Sequence, residues 1–276
     1  AFLDPLFIFT FGWGLEGAAW ASVVSRVVVL VIAWHALVRV HALPRRVSYG
    51  QVVGDLRPIL AIAGPAVLTN LATPIGNSFV LRSMSQFGDS AVAGAAIMGR
   101  ITPLAFAAVF ALSSAVGPII GQNAGAGRYD RVRSTLSNAL VFNFIYVTLV
   151  WLLLILLSDS IVRIFSASAE AADLILFYTH FLVGAFFFNG TLFVANASFN
   201  NLSHPHWATG FNFAKVLLGI IPGVYFGAMW FGARGVLAGE ALGMTVFGAL
   251  GMVAAFALTR RLERDYVASS TGASGR

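Results

Sequence analysis

Cysteine is absent from the 276 residues, and lysine occurs once, at Lys215. Without cysteine the chain can form no disulfide, no thiolate nucleophile and no cysteine-based metal site. Charged residues are scarce as well, at 10% of the chain, whereas soluble domains contain about 25%. Hydrophobic residues make up 58%, and the mean hydropathy is +0.84. This composition excludes a water-soluble fold and predicts an integral membrane protein.

Motifs for catalysis and for nucleotide binding are also missing. The five histidines form no His-Glu-x-x-His zinc motif, and the glycine-rich stretch 121–127 lacks the Lys-Ser/Thr of a phosphate loop. We therefore predict no enzyme, no metal site and no cofactor. The net charge of +6 could indicate nucleic acid, but the basic residues lie at the ends of apolar runs, where they orient a membrane protein. No nucleic-acid partner is predicted.

Long apolar runs dominate what is present. A run of about 20 apolar residues crosses a bilayer as a helix. The pattern predicts a helix stub at 2–11 and seven spans, at 18–38, 58–81, 91–121, 134–157, 174–199, 206–230 and 236–259. The sequence therefore predicts an all-α, polytopic membrane protein that is embedded in the lipid bilayer.

Arginine is distributed unevenly between the predicted loops. Cytoplasmic loops collect Arg and Lys, so the richer set of alternate loops is predicted to be cytoplasmic. That set contains Arg39, Arg45, Arg46, Arg57, Arg128, Arg131, Arg133, Arg260, Arg261 and Arg264, and the opposite set contains Arg82, Arg163 and Arg234. The C-terminus is thus expected in the cytoplasm, and the expected location is a cell membrane, with a bacterial inner membrane favoured.

A short pattern recurs and indicates an internal repeat. Gly14-x-x-Gly17 and Gly232-x-x-Gly235 each follow an apolar segment that contains proline. The repeat implies a six-helix transporter lobe at 58–264, preceded by about one and a half helices of another lobe at 1–38 and by a cytoplasmic linker at 39–57. The rest of the N-terminal lobe would begin about 160 residues before Ala1 and is an expected partner. Residues 265–276 are predicted to be a disordered tail.

Three stretches resemble the multidrug and toxic compound extrusion (MATE) family. Residues 117–133, Gly-Pro-Ile-Ile-Gly-Gln-Asn-Ala-Gly-Ala-Gly-Arg-Tyr-Asp-Arg-Val-Arg, are similar to the segment between the second and third helices of each half. Residues 3–19 resemble the end of the family's fifth helix and the start of its sixth, and 63–65 resembles the start of its seventh. The resemblance implies efflux of cationic or amphipathic drugs and toxic compounds, coupled to inward H⁺ or Na⁺.

Two other functions stay open. A lipid-linked sugar flippase of the same broad superfamily would be expected to have more cavity arginine than Arg100. A truncated remnant that transports nothing would account for the lack of buried carboxylates. The resemblance aligns acidic positions of the family's seventh and tenth helices with Thr73 and Asn189, so it implies that a coupling carboxylate lies in the missing lobe.

Polar side chains within the spans are the candidate substrate site. Such groups should face a cavity or a partner helix, because lipid exposure is costly. They fall on shared faces of the 58–81 and 174–199 helices, and the only lysine lies on the helix that follows. The predicted cavity lining is Asn70, Thr73, Asn77, Asn189, Asn196 and Lys215. The alternative is that the Asn and Thr side chains only join neighbouring helices by hydrogen bonds.

Five further residues are candidates for a gating or a structural role. Arg100 lies near the start of its span and could extend to the surface instead. Gly121, Gln122 and Gly125 belong to a glycine-rich helix end, for which a capped turn is the alternative to gating. Glu240 could be the counter-charge of Lys215 if packing brings the two together, and otherwise it is an interfacial residue.

Overall fold

A computed structural model describes residues 3–40 and 49–273, and every regular element in these two ranges is helical. The α-helices are α1 (Leu3–Pro5), α2 (Gly14–His35), α3 (Tyr49–Met84), α4 (Asp89–Ala105), α5 (Ala107–Gly125), α6 (Tyr129–Ile164), α7 (Ala169–Phe177), α8 (Phe186–Asn201), α9 (Pro205–Ala214) and α10 (Ile221–Ala273). Short π-helical segments follow α1, α2, α7 and α9. The all-α fold class is thereby confirmed.

Local sequence accounts for several helix starts. Ser168 caps α7, because its hydroxyl accepts a hydrogen bond from the amide of Ala171 at 3.3 Å. Pro205 opens α9, where the missing amide hydrogen leaves no intrahelical bond unmade. Asp89 and Asp130 lie in the first turns of α4 and α6, where the helix dipole favours negative charge.

The chain divides into two compact units, Ala1–Ile59 and Leu60–Arg276. In the first unit, Gly17 of α2 lies against the segment after α1. A methyl group at Gly17 would lie 2.7 Å from the carbonyl oxygen of Phe7, so only glycine fits there. That carbonyl also accepts a hydrogen bond from the Trp13 amide at 3.1 Å.

Three apolar clusters form the core of the second unit. The first joins α5, α6, α8, α9 and α10 around Leu136 and Phe199, which are fully buried. The second joins α3, α4 and α10 with residues around Met84. In the third, the ring of Phe106 stacks on that of Phe186 at 4.1 Å between centroids. The large apolar side chains outside these clusters are mostly exposed, as expected of a surface that faces lipid.

Glycines on the two sides of Gly232 pack against each other in pairs along α10 and the π-helical segment before it. We call these pairs the glycine ladder, and the two helical stretches that Gly232 separates the arms of the hairpin. The helix reverses direction at Gly232, whose φ of 60° and ψ of −143° are not helical. On either side of this turn, glycines recur at every fourth residue, a spacing that lets helix backbones approach closely. A methyl group at Gly223 would lie 2.6 Å from the carbonyl oxygen of Gly239. The facing pairs are Gly219 with Gly243, Gly223 with Gly239, and Gly227 with Gly235.

Five segments among the described residues are long and apolar enough to cross a membrane: Gly14–Arg39, Ala107–Gly125, Tyr129–Ile164, Ala169–Asn201 and Pro205–Ser269. The last contains both arms that meet at Gly232. Helix α3 covers the whole of the predicted span 58–81, although it is outside the five. Helix α4 is also outside the five, with 17 residues.

Several element boundaries differ from the prediction. The expected single span 91–121 is broken at Phe106, whose φ of −107° and ψ of 23° are not those of an α-helix. Helix α3 begins at Tyr49, so the end of the expected linker 39–57 is helical, while residues 41–48 lie outside the described ranges. The disordered tail expected at 265–276 is wrong as far as Ala273, because α10 continues to that residue.

Candidate functional site

A cavity of about 450 Å³ lies within the second unit, between α3, α4, α5, α8, α10 and the π-helical segments after α7 and α9. Its wall is mostly apolar and includes three phenylalanines, Phe110, Phe186 and Phe193. We call it the charged cavity, because Lys215 and Glu240 both line it. Its other polar lining residues are Thr73, Asn77, Thr102, Tyr178 and Asn189.

Lys215 is held deep in this cavity by α8. Its side chain is buried, with 4% of the residue exposed, and its ammonium group donates a hydrogen bond to Oδ1 of Asn189 at 3.3 Å. Glu240 interacts with Lys215 electrostatically, yet no ion pair within 4.0 Å joins these two described residues. The two charges therefore face each other across part of the cavity rather than in direct contact.

Irregular helix geometry places two of these polar groups. Lys215 begins the π-helical segment Lys215–Ile220, and Tyr178 begins the π-helical segment Tyr178–Leu182. A π-helical turn shifts the side chains that follow it relative to a regular α-helix, and such turns are frequent at functional sites. Both segments line the charged cavity.

A second cavity, of about 370 Å³, adjoins the first. Thr73 and Phe193 line both. We call it the asparagine cavity, because five of its lining residues are asparagines. They are Asn70, Asn196, Asn200, Asn201 and Asn212, and the remaining polar lining residues are Thr69, Thr73, Ser113 and Ser114.

The structure thus distributes the six predicted lining residues over two cavities. Asn77, Asn189 and Lys215 line the charged cavity, and Asn70 and Asn196 line the asparagine cavity. Thr73 lines both. Their joint role in binding substrate stays a prediction, as does the alternative of hydrogen bonds between helices.

The sequence left two alternatives for Glu240, a counter-charge of Lys215 and an interfacial residue. It lines the charged cavity together with Lys215 and is only partly exposed, and its role as a counter-charge stays a prediction. Arg100 lies on α4 with an exposed side chain and is absent from the lining of both cavities. The described residues that line these cavities include no arginine.

The glycine-rich end of α5 is closed by a regular capping motif. The amide of Arg128 donates to the carbonyl of Asn123 at 2.8 Å, and the amide of Gly127 donates to Ala124 at 2.9 Å. This pair of bonds, with Gly127 at a φ of +70°, is a Schellman motif. The predicted capped turn is present, and a gating role remains a separate prediction.

Three of the five residues predicted to have a gating or structural role, Gly121, Gln122 and Gly125, lie in the last turns of α5. A methyl group at Gly121 would lie 3.3 Å from Oδ1 of Asn201, so α5 packs closely on the end of α8 there. Gln122 is exposed, and its carbonyl accepts the amide of Ala126 at 3.1 Å. At Gly125, an added methyl group would have no atom of another described helix or loop within 4 Å.

Tyr178 is a lining residue that sequence reasoning missed. Tyr178 and Thr102 of α4 both line the charged cavity, and the hydroxyl of Thr102 donates a hydrogen bond to the carbonyl of Met98 at 2.8 Å. Tyr178 precedes Asn189 by about three helical turns. The helical periodicity that places Asn189 and Asn196 on one face of the span therefore places Tyr178 on the same face. The omission arose because aromatic residues in an apolar span resemble lipid-facing ones.

As for metals, residues 3–40 and 49–273 contain no group of three or more His, Asp or Glu side chains that could hold an ion.

An all-α bundle of apolar helices with a cavity between them places the chain in the class of polytopic helical membrane proteins, which includes many transporters of small molecules. The sequence model of the MatE family matches residues 65–225, which is more than half of the chain. The chain belongs to this family, the MATE transporters, whose members are transporters and not enzymes. The resemblance found in the sequence is thereby confirmed.

Relatives and solved structures agree with this assignment. A Pseudomonas savastanoi protein described as an uncharacterized 21 kDa protein in the iaaL 5' region is 34% identical over 233 residues, 82% of this chain and 75% of that protein. An FAD transporter of Shewanella oneidensis is 27% identical over 241 residues, 85% of this chain and 53% of that protein.

Two solved transporters share the fold. The MATE transporter VcmN of Vibrio cholerae, in its bent form, has a TM-score of 0.80 at 24% identity, and a MOP superfamily transporter from Pyrococcus furiosus has a TM-score of 0.84 at 20% identity. The similarity covers 96% of this chain for the first and 95% for the second, and 60% of each solved chain. The chain therefore spans about 60% of the length of these transporters and about half of the FAD transporter.

Proposed function

We propose that this chain is the C-terminal lobe of a secondary antiporter that exports cationic or amphipathic compounds in exchange for protons, together with the end of the preceding lobe. The observation that carries the proposal is the charged cavity, an aromatic and apolar space of about 450 Å³ that contains one cation and one anion. Pockets of this size and character accommodate drug-sized ligands. A Bacillus subtilis relative, 25% identical over 130 residues, is described as a probable multidrug resistance protein.

Glu240 supplies a carboxylate that can couple export to an ion gradient. A cationic substrate would be attracted by the ionised carboxylate, and protonation of Glu240 would remove that attraction and leave Lys215 to repel the substrate. Proton entry and substrate release are then linked at one group. A proton suits this site better than Na⁺, because a metal ion needs several oxygen ligands and would be repelled by the ammonium of Lys215. This assignment replaces the expectation that coupling resides only in the missing lobe.

An N-terminal lobe, the bilayer and a small-molecule substrate are the proposed partners. The shared fold over only 60% of the solved transporters supports a second lobe that completes the transport pathway. The arginine-rich loops support a cytoplasmic C-terminus, and a bacterial inner membrane is the proposed location. The lipid-linked sugar flippase is disfavoured, because the described residues lining the cavities include no arginine.

A second candidate function is export of a flavin nucleotide. The Shewanella oneidensis FAD transporter matches 85% of this chain, and Lys215 offers a cation that a phosphate group can bind. In this alternative the flavin ring would occupy the phenylalanine-lined part of the charged cavity.

Growth of a drug-sensitive host and ethidium efflux from its membrane vesicles test the proposal. The chain is expressed alone and together with an N-terminal lobe, and efflux is driven by a proton gradient or by a sodium gradient. We expect proton-driven efflux when both lobes are present, and a fall of about tenfold or more in the Glu240→Gln variant. Glu170→Gln, an exposed change outside the charged cavity, is the matched control. Absence of efflux with both lobes would exclude the antiporter and favour a remnant that transports nothing.

A further inference from the structure

The asparagine cavity differs from the charged cavity in its chemistry. Nine of its thirteen lining residues are polar, and none is charged. They come from α3, α5, α8 and α9, so four helices turn amide and hydroxyl groups toward one space. Polar groups that line a cavity of a membrane protein are favourable where water, a ligand or another part of the protein satisfies them.

Hydrogen bonds within the protein use only part of this capacity. The hydroxyl groups of Thr69 and Thr209 bond to each other at 2.9 Å. Asn201 and Asn212 donate their amide hydrogens to carbonyls of their own helices, at 2.8 Å in each case, and an amide also has an oxygen that accepts hydrogen bonds. Oδ1 of Asn196 is buried and has no hydrogen-bond partner among the described residues. The cavity wall therefore presents one buried acceptor, Oδ1 of Asn196, that the described residues do not satisfy.

The position of the cavity connects it with the proposed transport pathway. Thr73 and Phe193 line both cavities, so the two spaces are adjacent and a ligand in the charged cavity lies next to the asparagine cavity. A charged group would find no counter-charge among the described residues of the second space and would be unfavourable there. An uncharged group that donates and accepts hydrogen bonds would satisfy the amides and hydroxyls.

We propose that the asparagine cavity is a second binding subsite, which accepts an uncharged polyhydroxylated group attached to the aromatic or charged part of a substrate. The subsite rests on the proposed function, because it extends the same ligand from the charged cavity. The subsite predicts that the transporter binds a ring system that carries a polyhydroxylated group more tightly than it binds the same ring system without that group.

Riboflavin and lumiflavin test the subsite with one readout. They share a flavin ring, and riboflavin carries an uncharged polyhydroxylated chain where lumiflavin has a methyl group. Flavin fluorescence on titration with the chain in lipid nanodiscs gives both dissociation constants. We expect riboflavin to bind about tenfold more tightly, since several hydrogen bonds distinguish the two ligands.

Two variants locate the effect. Asn196→Leu removes the unsatisfied acceptor, and Asn200→Leu changes an exposed lining residue that packing does not constrain. Each is expected to reduce the riboflavin preference to about twofold or less. Asn138→Leu, at an exposed asparagine of α6 outside both cavities, is the control and should keep the preference. Thermal melting verifies that each variant is folded.

The outcomes separate this proposal from the antiporter itself. Equal binding of the two flavins, binding of neither, or a preference that both cavity variants retain would overturn the subsite. If ethidium efflux with both lobes persists in any of these cases, the antiporter proposal stands and only the subsite fails. Loss of efflux as well would reject both.

Discussion

The interaction between Lys215 and Glu240 can be tested by removing each charge singly and then both together. Lys215→Met leaves the carboxylate of Glu240 in the charged cavity without its counter-charge, and Glu240→Gln leaves the ammonium without its own. The double variant removes both charges and keeps similar volumes. Since breaking one side of a buried pair is worse than removing the pair, the double variant should be more stable than the two single effects predict.

The structure sets limits on the size of this coupling. The nitrogen and oxygen atoms are more than 4.0 Å apart, and two unit charges at 4 Å attract by about 4 kcal/mol at an effective dielectric constant near 20. The greater separation and the water in an open cavity reduce this value. We therefore expect a coupling free energy of about 1 to 3 kcal/mol between the two positions.

Thermal unfolding of the purified chain and its three variants measures the coupling. A coupling of about 2 kcal/mol corresponds to a non-additivity of roughly 4 to 8 °C in Tm for a domain of this size. Asn189 is the third member of the cluster and should be left unchanged throughout. Additive effects, within about 0.5 kcal/mol, would refute the conclusion that the two charges face each other in one cavity.

Three further changes test the packing of the second unit. Gly239→Ala should lower stability by about 2 kcal/mol, because a methyl group would collide with the backbone of the facing arm. Gly210→Ala, where the space is open, is the control, and equal Tm values for the two variants would contradict the glycine ladder. Gly127→Ala should cost about 1 to 2 kcal/mol in chemical denaturation, since its φ of +70° is strained for other residues; an unchanged midpoint would show that the helix end adapts. Arg133→Ala breaks an ion pair with Glu263 that is about one-third exposed, so the loss in Tm should correspond to less than about 1 kcal/mol; a larger loss would mean that this pair anchors the end of α10.

Sequence reasoning was most successful for the membrane-spanning helices. Apolar runs between charged turns are a direct consequence of bilayer thickness, so the spans in α2, α6 and α10 follow from composition and length alone. Boundaries were less predictable. Helix α10 extends to Ala273 where small and polar residues suggested disorder, and the backbone at Phe106 interrupts a run whose hydropathy suggested continuity.

The sequence predicted which polar residue types line the site, but not which of these residues share a cavity. Helical periodicity shows that Asn70 and Thr73 share a face with Asn77, but it cannot show that neighbouring helices divide this face between two cavities. The distinction depends on how α8 and α9 pack against α3. Phe193, which lines both cavities, has no feature in the sequence that separates it from the many lipid-facing phenylalanines.

The position of Glu240 illustrates why packing decides the electrostatics of this site. Glu240 follows Gly239 directly, and Lys215 lies one turn before Gly219, so each charge is adjacent to a rung of the glycine ladder. Contact between the facing glycines fixes the register of the two arms and therefore the separation of the two charges along the helix axes. A side chain larger than hydrogen at Gly239 would push the arms apart and move the carboxylate relative to the ammonium. The ladder thus determines the charge geometry of the cavity as well as the packing of the hairpin, and a change in the ladder should alter efflux even where the charged residues are intact.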